Sequence, residues 1–218
     1  MSTETIAVVG GTGKLGAALA RRLAKAGHKV IIGSRSADSA KAAAENLGFG
    51  VAGATNADAA NVADIIIVTV PFAAQDSTLD EIRPKVAGKI VVDTTVPLVP
   101  PKVMRVQLPK DGSAAARAQA LLGPGITVLS AFHNVAAHKL ATDEPVDCDV
   151  LVFGDDKDAR EKIVRLTGDI GLRGLHGGAL ANSASAEALT SVLIFLNRTY
   201  SVDGAGIRIT GNLIEPLK

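Results

Sequence analysis

The chain has 218 residues, 47% of them hydrophobic, and its 23 Lys and Arg balance 22 Asp and Glu to a net charge of +1. That length suits one α/β domain with at most a small appendage, and the even charge, with no basic cluster interleaved with aromatics, argues against a nucleic-acid partner. Met1-Ser2-Thr3-Glu4 lacks a basic and apolar leader, no apolar run reaches a membrane span, and a lone Cys148 excludes an internal disulfide, so a cytoplasmic protein without a membrane partner is expected.

Ile6-Ala7-Val8-Val9 is an apolar β-branched run, followed by Gly10-Gly11-Thr12-Gly13-Lys14-Leu15-Gly16 and then by apolar positions at Ala18, Leu19, Leu23 and Ala26, with Arg22 contributing its aliphatic stem. Buried strand, tight turn and amphipathic helix in that order are the context in which Gly-x-Gly-x-x-Gly binds a dinucleotide. Gly11 is expected to permit the turn, Gly13 to let backbone approach a pyrophosphate, and Gly16 to bring helix against strand. The helix N-terminus offers unpaired N–H groups to the phosphates. The second strand, Lys29 to Gly33, ends in Ser34 and Arg35, where an NAD site would carry a carboxylate for the ribose 2′-OH. A guanidinium and a hydroxyl suit a 2′-phosphate instead, and Thr12 can add its hydroxyl, so the cofactor is read as NADP(H).

Strand and helix patterns continue to alternate. Ser36 or Asp38 caps a helix through Leu47, Val51–Ala54 is a short third strand, Asn56–Ala63 a short helix, and Ile65–Val70 a buried fourth strand closed by Pro71-Phe72. Helical turns cover Ala74 to Val86 and Lys89–Asp93 is the fifth strand; three prolines make Thr94–Pro101 a loop. A helix from Gly112 or Ser113 to Leu122, a sixth strand Thr127–Ala131, a seventh Asp149–Phe153, a helix from Asp155 or Asp156 to about Thr167 and a short strand near Leu172–His176 follow. Ala181–Tyr200 is the last long helix, apolar on most faces and expected to be covered by the domain and by a second subunit, giving a homodimer. Gly204–Ile209 reads as a glycine turn and a short strand. The expected architecture is a Rossmann-type, doubly wound and mostly parallel sheet over residues 1–180, with a helix and strand extension over 181–218 that completes a second ligand cleft and the dimer interface.

Chemistry is narrowed by what does not occur. The only tyrosine, Tyr200, has no lysine four residues on, His, Cys and carboxylates do not fall at metal-ligand spacing, and Gly-x-Ser-x-Gly is missing, so short-chain-dehydrogenase, metal and serine-hydrolase chemistry are not expected. The aspartates beside Cys148 hold its thiol protonated, which makes it structural. Of four histidines, His133 is placed best, after a buried strand on the cofactor side; Val70, Pro71 and Phe72 end the fourth strand where a nicotinamide would lie.

Taken together, Gly10-Gly11-Thr12-Gly13-x-Leu15-Gly16, Gly33-Ser34-Arg35, Thr69-x-Pro71, Gly112-Ser113-Ala114-Ala115, Ser130-Ala131-x-His133, Asp147-x-Asp149, Gly154-Asp155-Asp156, Asn182-Ser183 and Gly206-Ile207 resemble the NADPH-dependent reductases of the deazaflavin coenzyme F420. The resemblance implies direct hydride transfer between nicotinamide and deazaflavin, with Thr12, Ser34 and Arg35 on the 2′-phosphate, Pro71 and Phe72 beside the nicotinamide, and His133, Asn134, Val135 and Ala136 beside the deazaflavin. Hydride transfer builds negative charge on that ring system, so His133 is expected to be the catalytic residue, aided by the backbone amides of Val135 to Ala137. Two departures from the family pattern are Ser39, in place of a lysine, and the loop Asn134-Val135-Ala136-Ala137 itself. An NADP-dependent reductase of another flavin, imine or carbonyl compound, and an NADP-sensing module without turnover, remain the alternative readings.

Overall fold

The computed structural model describes residues 4–214. Its eight-stranded sheet has the order β3-β2-β1-β4-β5-β6-β7-β8, with β1 Thr5–Val9, β2 Lys29–Ser34, β3 Ala52–Thr55, β4 Ile65–Val68, β5 Ile90–Asp93, β6 Thr127–Ser130, β7 Asp149–Phe153 and β8 Arg173–Gly178. The first six strands are parallel; β7 runs antiparallel to β6, and β8 is parallel to β7. Strand order therefore reverses between β1 and β4, which opens a crevice at the carboxyl ends of the strands. The helices are α1 Lys14–Lys25, α2 Ala37–Leu47, α3 Asn56–Val62, α4 Gln75–Ile82, α5 Ala114–Leu122, α6 Ala137–Leu140, α7 Lys157–Asp169 and α8 Ser183–Tyr200, with 3-10 turns at Phe72–Ala74, Arg83–Lys85 and Leu180–Asn182.

Alternating side chains of the buried strands divide the core in two. Ile6, Val8, Ile65, Ile67, Val92 and Leu129 pack with α1 and α7 on one face, while Ala7, Val9, Ile66, Val68, Val91 and Val128 pack with α3, α4 and α5 on the other. A strand apolar at every position needs this double cover. Helix ends obey local chemistry: the side chains of Ser36, Thr55, Ser113 and Asp156 accept from the first turns of α2, α3, α5 and α7, and Gly48 and Gly123 end α2 and α5 at positive φ.

Two expectations are corrected. Residues 204–209 form no strand: the Asp149 amide donates to the Ile207 carbonyl (2.8 Å), but the Ile209 amide bonds to the Asp149 carboxylate (2.6 Å) instead of continuing a backbone ladder. Arg22 lies on the apolar face of α1 with its guanidinium buried as well as its stem. Residues 215–218 of the expected C-terminal extension lie outside the described residues, and no described helix is long and apolar enough to cross a membrane.

Candidate active site

The fingerprint turn links β1 to α1 at the crevice. Its positive φ, +72°, belongs to Gly10 and not to Gly11 as the motif implied. Gly11 is required for space, because a Cβ there would lie 2.6 Å from the Val8 carbonyl oxygen and 2.8 Å from Ile32 Cγ2. Gly16 is likewise a packing glycine, with Thr69 Oγ1 2.5 Å and Gly11 Cα 2.7 Å from a Cβ. Gly13 differs: a Cβ there would meet only the Gly10 carbonyl, at 3.4 Å, so the space beside it is open among the described residues. No side chain caps α1 and no acid stands in its first turn. Unpaired N–H groups, exposed Thr12 and Lys14, and half-buried Leu15 thus border a space suited to a pyrophosphate.

Ser34 and Arg35 follow β2 on the same rim, Ser34 half-buried and Arg35 exposed. Among the described residues Arg35 makes no ion pair, which leaves its fork available to a 2′-phosphate. Across the crevice, Thr69 ends β4 by bonding the Val9 carbonyl through both its amide and its hydroxyl (each 2.9 Å). Val70 and Phe72 are half-buried and Pro71 exposed; the Arg117 guanidinium sits 5.8 Å above the Phe72 ring and is itself paired with Asp76. These side chains form a wall with one aromatic face held in place.

After β6 the chain turns sharply. Phe132, buried at 2% exposure, adopts φ +65°, a costly conformation for a large side chain and a mark of functional sites. His133 follows, buried, with Nε2 2.9 Å from the Ser130 hydroxyl and its ring tilted against Phe153. Burial pushes its pKa down to about 4, so the imidazole is neutral near pH 7. The Asn134 side chain points away from the crevice, donating to the Ala186 carbonyl (2.9 Å) and to Thr190 Oγ1 (3.1 Å) of α8, while Thr190 donates to the His133 carbonyl (3.1 Å). What Asn134 offers a ligand is backbone. Val135 is buried and Ala136 and Ala137 half-buried, so the loop presents small apolar surface and main-chain groups.

Helix α8, which holds that loop, docks through a buried carboxylate. Glu187 accepts from the Ala114 amide (2.6 Å) and the Ala115 amide (3.2 Å) at the N-terminus of α5, and the Ser183 hydroxyl donates to Ser113 Oγ (2.9 Å) beside it. Burial outweighs both amides and, with the nearby Asp93 charge, raises Glu187 to about 7. Asp93 is fully buried and raised by burial, although Gln75 and the Thr95 amide bond to it.

Residues 5–97 match the family model described as NADP oxidoreductase coenzyme F420-dependent. The F420-dependent NADP reductase of Methanothermobacter thermautotrophicus is 44% identical over 96% of this chain and 96% of its own, and that of Methanocaldococcus jannaschii 40% over 94% and 97%. This chain belongs to the F420-dependent NADP reductase family. A solved structure from Arthrobacter sp. FB24, provisionally described as an F420-dependent NADP reductase, superposes with a TM-score of 0.82 at 27% identity, covering 94% of this chain and 99% of that one.

Sequence reasoning about the family missed three groups: Glu187, the Asn134 amide turned to α8, and the strained Phe132. Only Glu187 left a trace, as the one carboxylate in α8.

Proposed function

We propose that the protein transfers a hydride directly between NADP(H) and the deazaflavin coenzyme F420, an oxidoreductase activity carried by its likeness over nearly its whole length to F420-dependent NADP reductases. NADPH supplies the hydride from its nicotinamide C4, the deazaflavin accepts it at C5, and a proton from solvent completes the reduction.

The chain's own residues contribute binding and orientation. The Gly10–Gly16 turn and the N-terminus of α1 hold the pyrophosphate, and Thr12, Ser34 and Arg35 hold the 2′-phosphate. Val70, Pro71 and Phe72 give the nicotinamide one flat wall. Residues 133–137 border the acceptor, where the amides of Val135 to Ala137 stabilise the charge that arrives with the hydride, and neutral His133 fixes the loop that carries them. Stacking two rings with reacting atoms roughly 3 to 3.5 Å apart needs no proton-donating side chain at the hydride, and the His133 ring, turned inward to Ser130, is not placed as one.

We further propose that a second copy covers the exposed apolar stripe of α8, where Val192, Phe195 and Tyr200 are 42%, 50% and 69% exposed. Mixing the protein with NADPH and deazaflavin and following the visible absorbance tests the activity; no bleaching at any NADPH concentration rejects it. Light scattering at the mass of a single chain rejects the dimer.

A further inference from the structure

Arg22 is the most extensively bonded side chain on the nucleotide-binding helix, and nothing in the reaction as described uses it. It is buried, and all its partners are main-chain carbonyls. Nε donates to Leu140 (2.7 Å), one terminal nitrogen to Ile170 (3.0 Å), and the other to Thr142 (2.8 Å), Glu144 (2.9 Å) and, more weakly, Lys139 (3.4 Å). The three nitrogens of the fork thereby reach five carbonyls, a pattern that the single ammonium of a lysine cannot reproduce.

Those carbonyls belong to the end of α6, to the loop after it and to the end of α7. Helix α6 has only four residues, and its first, Ala137, is the last residue of the acceptor loop. One short helix therefore has its start in the acceptor site and its end bonded to Arg22. Outside the guanidinium, Asp143 of the same loop pairs with Arg21 (2.7 Å) and Lys25 (2.8 Å), so α1 grips this segment from both sides. At its other end α1 faces the pyrophosphate cradle, about 14 Å from Arg22 along the helix axis at 1.5 Å per residue.

We infer that Arg22 is a positioning residue that makes α1 a rigid spacer between the two ligands, setting the acceptor loop relative to the bound nucleotide. The inference rests on the hydride-transfer reading for its kinetic consequence, but the coupling itself is independent of the acceptor. The nucleotide end of α1 does not need Arg22, because Ala18, Leu19, Ala20 and Leu23 already seat the helix in the core.

The test compares Arg22→Lys and Arg22→Met with wild type in two ways. In steady-state kinetics, deazaflavin KM rises and kcat falls, by up to about 10²-fold together for a displacement near 1 Å, while NADPH affinity by calorimetry stays within about twofold of wild type. In hydrogen exchange, NADPH protects the amides of residues 135–144 in wild type, and that protection is lost in both variants while protection of residues 10–16 remains. A purely stabilising arginine would lower the melting temperature and leave the deazaflavin KM, kcat and the NADPH-dependent loop protection unchanged, and that outcome overturns the inference. If Arg22→Met does not fold, Arg22→Lys carries the test, since it keeps the charge and the stem. If wild type reduces no deazaflavin, the functional reading fails alone and the exchange experiment still decides: loop protection on NADPH binding that persists in the variants, or that is missing from wild type, refutes the coupling.

Discussion

The nucleotide side of the crevice and the acceptor side are built by different physics. Residues 5–47 form two strands, a glycine turn and two helices; the long-range polar contacts of α1 lie at its far end, at Arg21, Arg22 and Lys25, and the ligand surface is made by leaving side chains out at Gly13 and at the uncapped end of α1. The acceptor side is assembled by polar side chains reaching across the fold. Asn134 and Thr190 join the loop to α8, and Glu187 joins α8 to α5 over 72 and 73 residues of sequence. The difference teaches that the first site is specified locally, whereas the second exists only once the whole domain has folded.

Breaking the local site gives the largest expected effect. Gly13→Val places a side chain in the pyrophosphate cradle, where the protein itself has room, so calorimetry should detect no NADPH binding while the melting temperature stays near wild type. Gly16→Val is the control with the opposite outcome, since its Cβ meets Thr69 and Gly11 and overpacking costs about 1–3 kcal/mol of stability. Equal stability of the two variants would remove the distinction between cradle and packing glycines.

On the acceptor side, His133→Ala frees the loop that His133 holds through Ser130, so displacement of its amides should lower deazaflavin turnover by up to about 10²-fold with NADPH affinity retained. A variant that binds NADPH poorly, or turns over at the full rate, would show that the loop does not serve the acceptor. Next in size is Arg35→Asp, which exchanges a charge-assisted bond to the 2′-phosphate for repulsion; NADPH binding weakens by about 2 kcal/mol and NADH binding does not. Equal losses for both cofactors would place Arg35 away from the phosphate.

The smallest effect sharpens the comparison through pH. His133, lowered by burial from 6.5 to about 4, is protonated more readily in the unfolded chain. Its contribution, about 3 kcal/mol, is complete above pH 6.5 and lost as pH falls through 4. Glu187, raised from 4.5 to about 7, acts in the other direction: its contribution is complete below pH 4.5 and lost as pH rises through 7. Between about pH 5 and pH 8 the two contributions oppose each other and largely cancel in wild type, so in urea unfolding Glu187→Gln should gain stability toward pH 8 relative to wild type, and an identical pH dependence in that variant would mean the α8 clamp does not titrate there.

Most of the nucleotide half was legible in the residues. Ser36 and Gly48 bound α2 by chemistry that acts within four positions, as Ser113 and Asp156 do at the starts of α5 and α7 elsewhere in the chain, and the glycine motif with Ser34 and Arg35 needs only one βαβ unit. The acceptor half was legible only as a location, the loop after the sixth strand. Nothing near Asn134 in sequence says that its amide turns to α8, and a glutamate in a helix reads as solvated until the fold brings Ala114 to it. The motif puts the tight turn at Gly11, although the backbone places the positive φ one residue earlier, at Gly10. The missing strand at 204–209 has the same lesson: Asp149 competes with a backbone ladder, and that competition is tertiary.

The central claim is direct hydride transfer between two rings held by these two differently built sites. Its most direct measurement is a single turnover in ordinary water with NADPH deuterated at the transferred position of C4, followed by mass spectrometry of the reduced deazaflavin. The account predicts that the label is retained at C5 with none released to solvent. Label appearing in water, or a reduced product without deuterium, would contradict it.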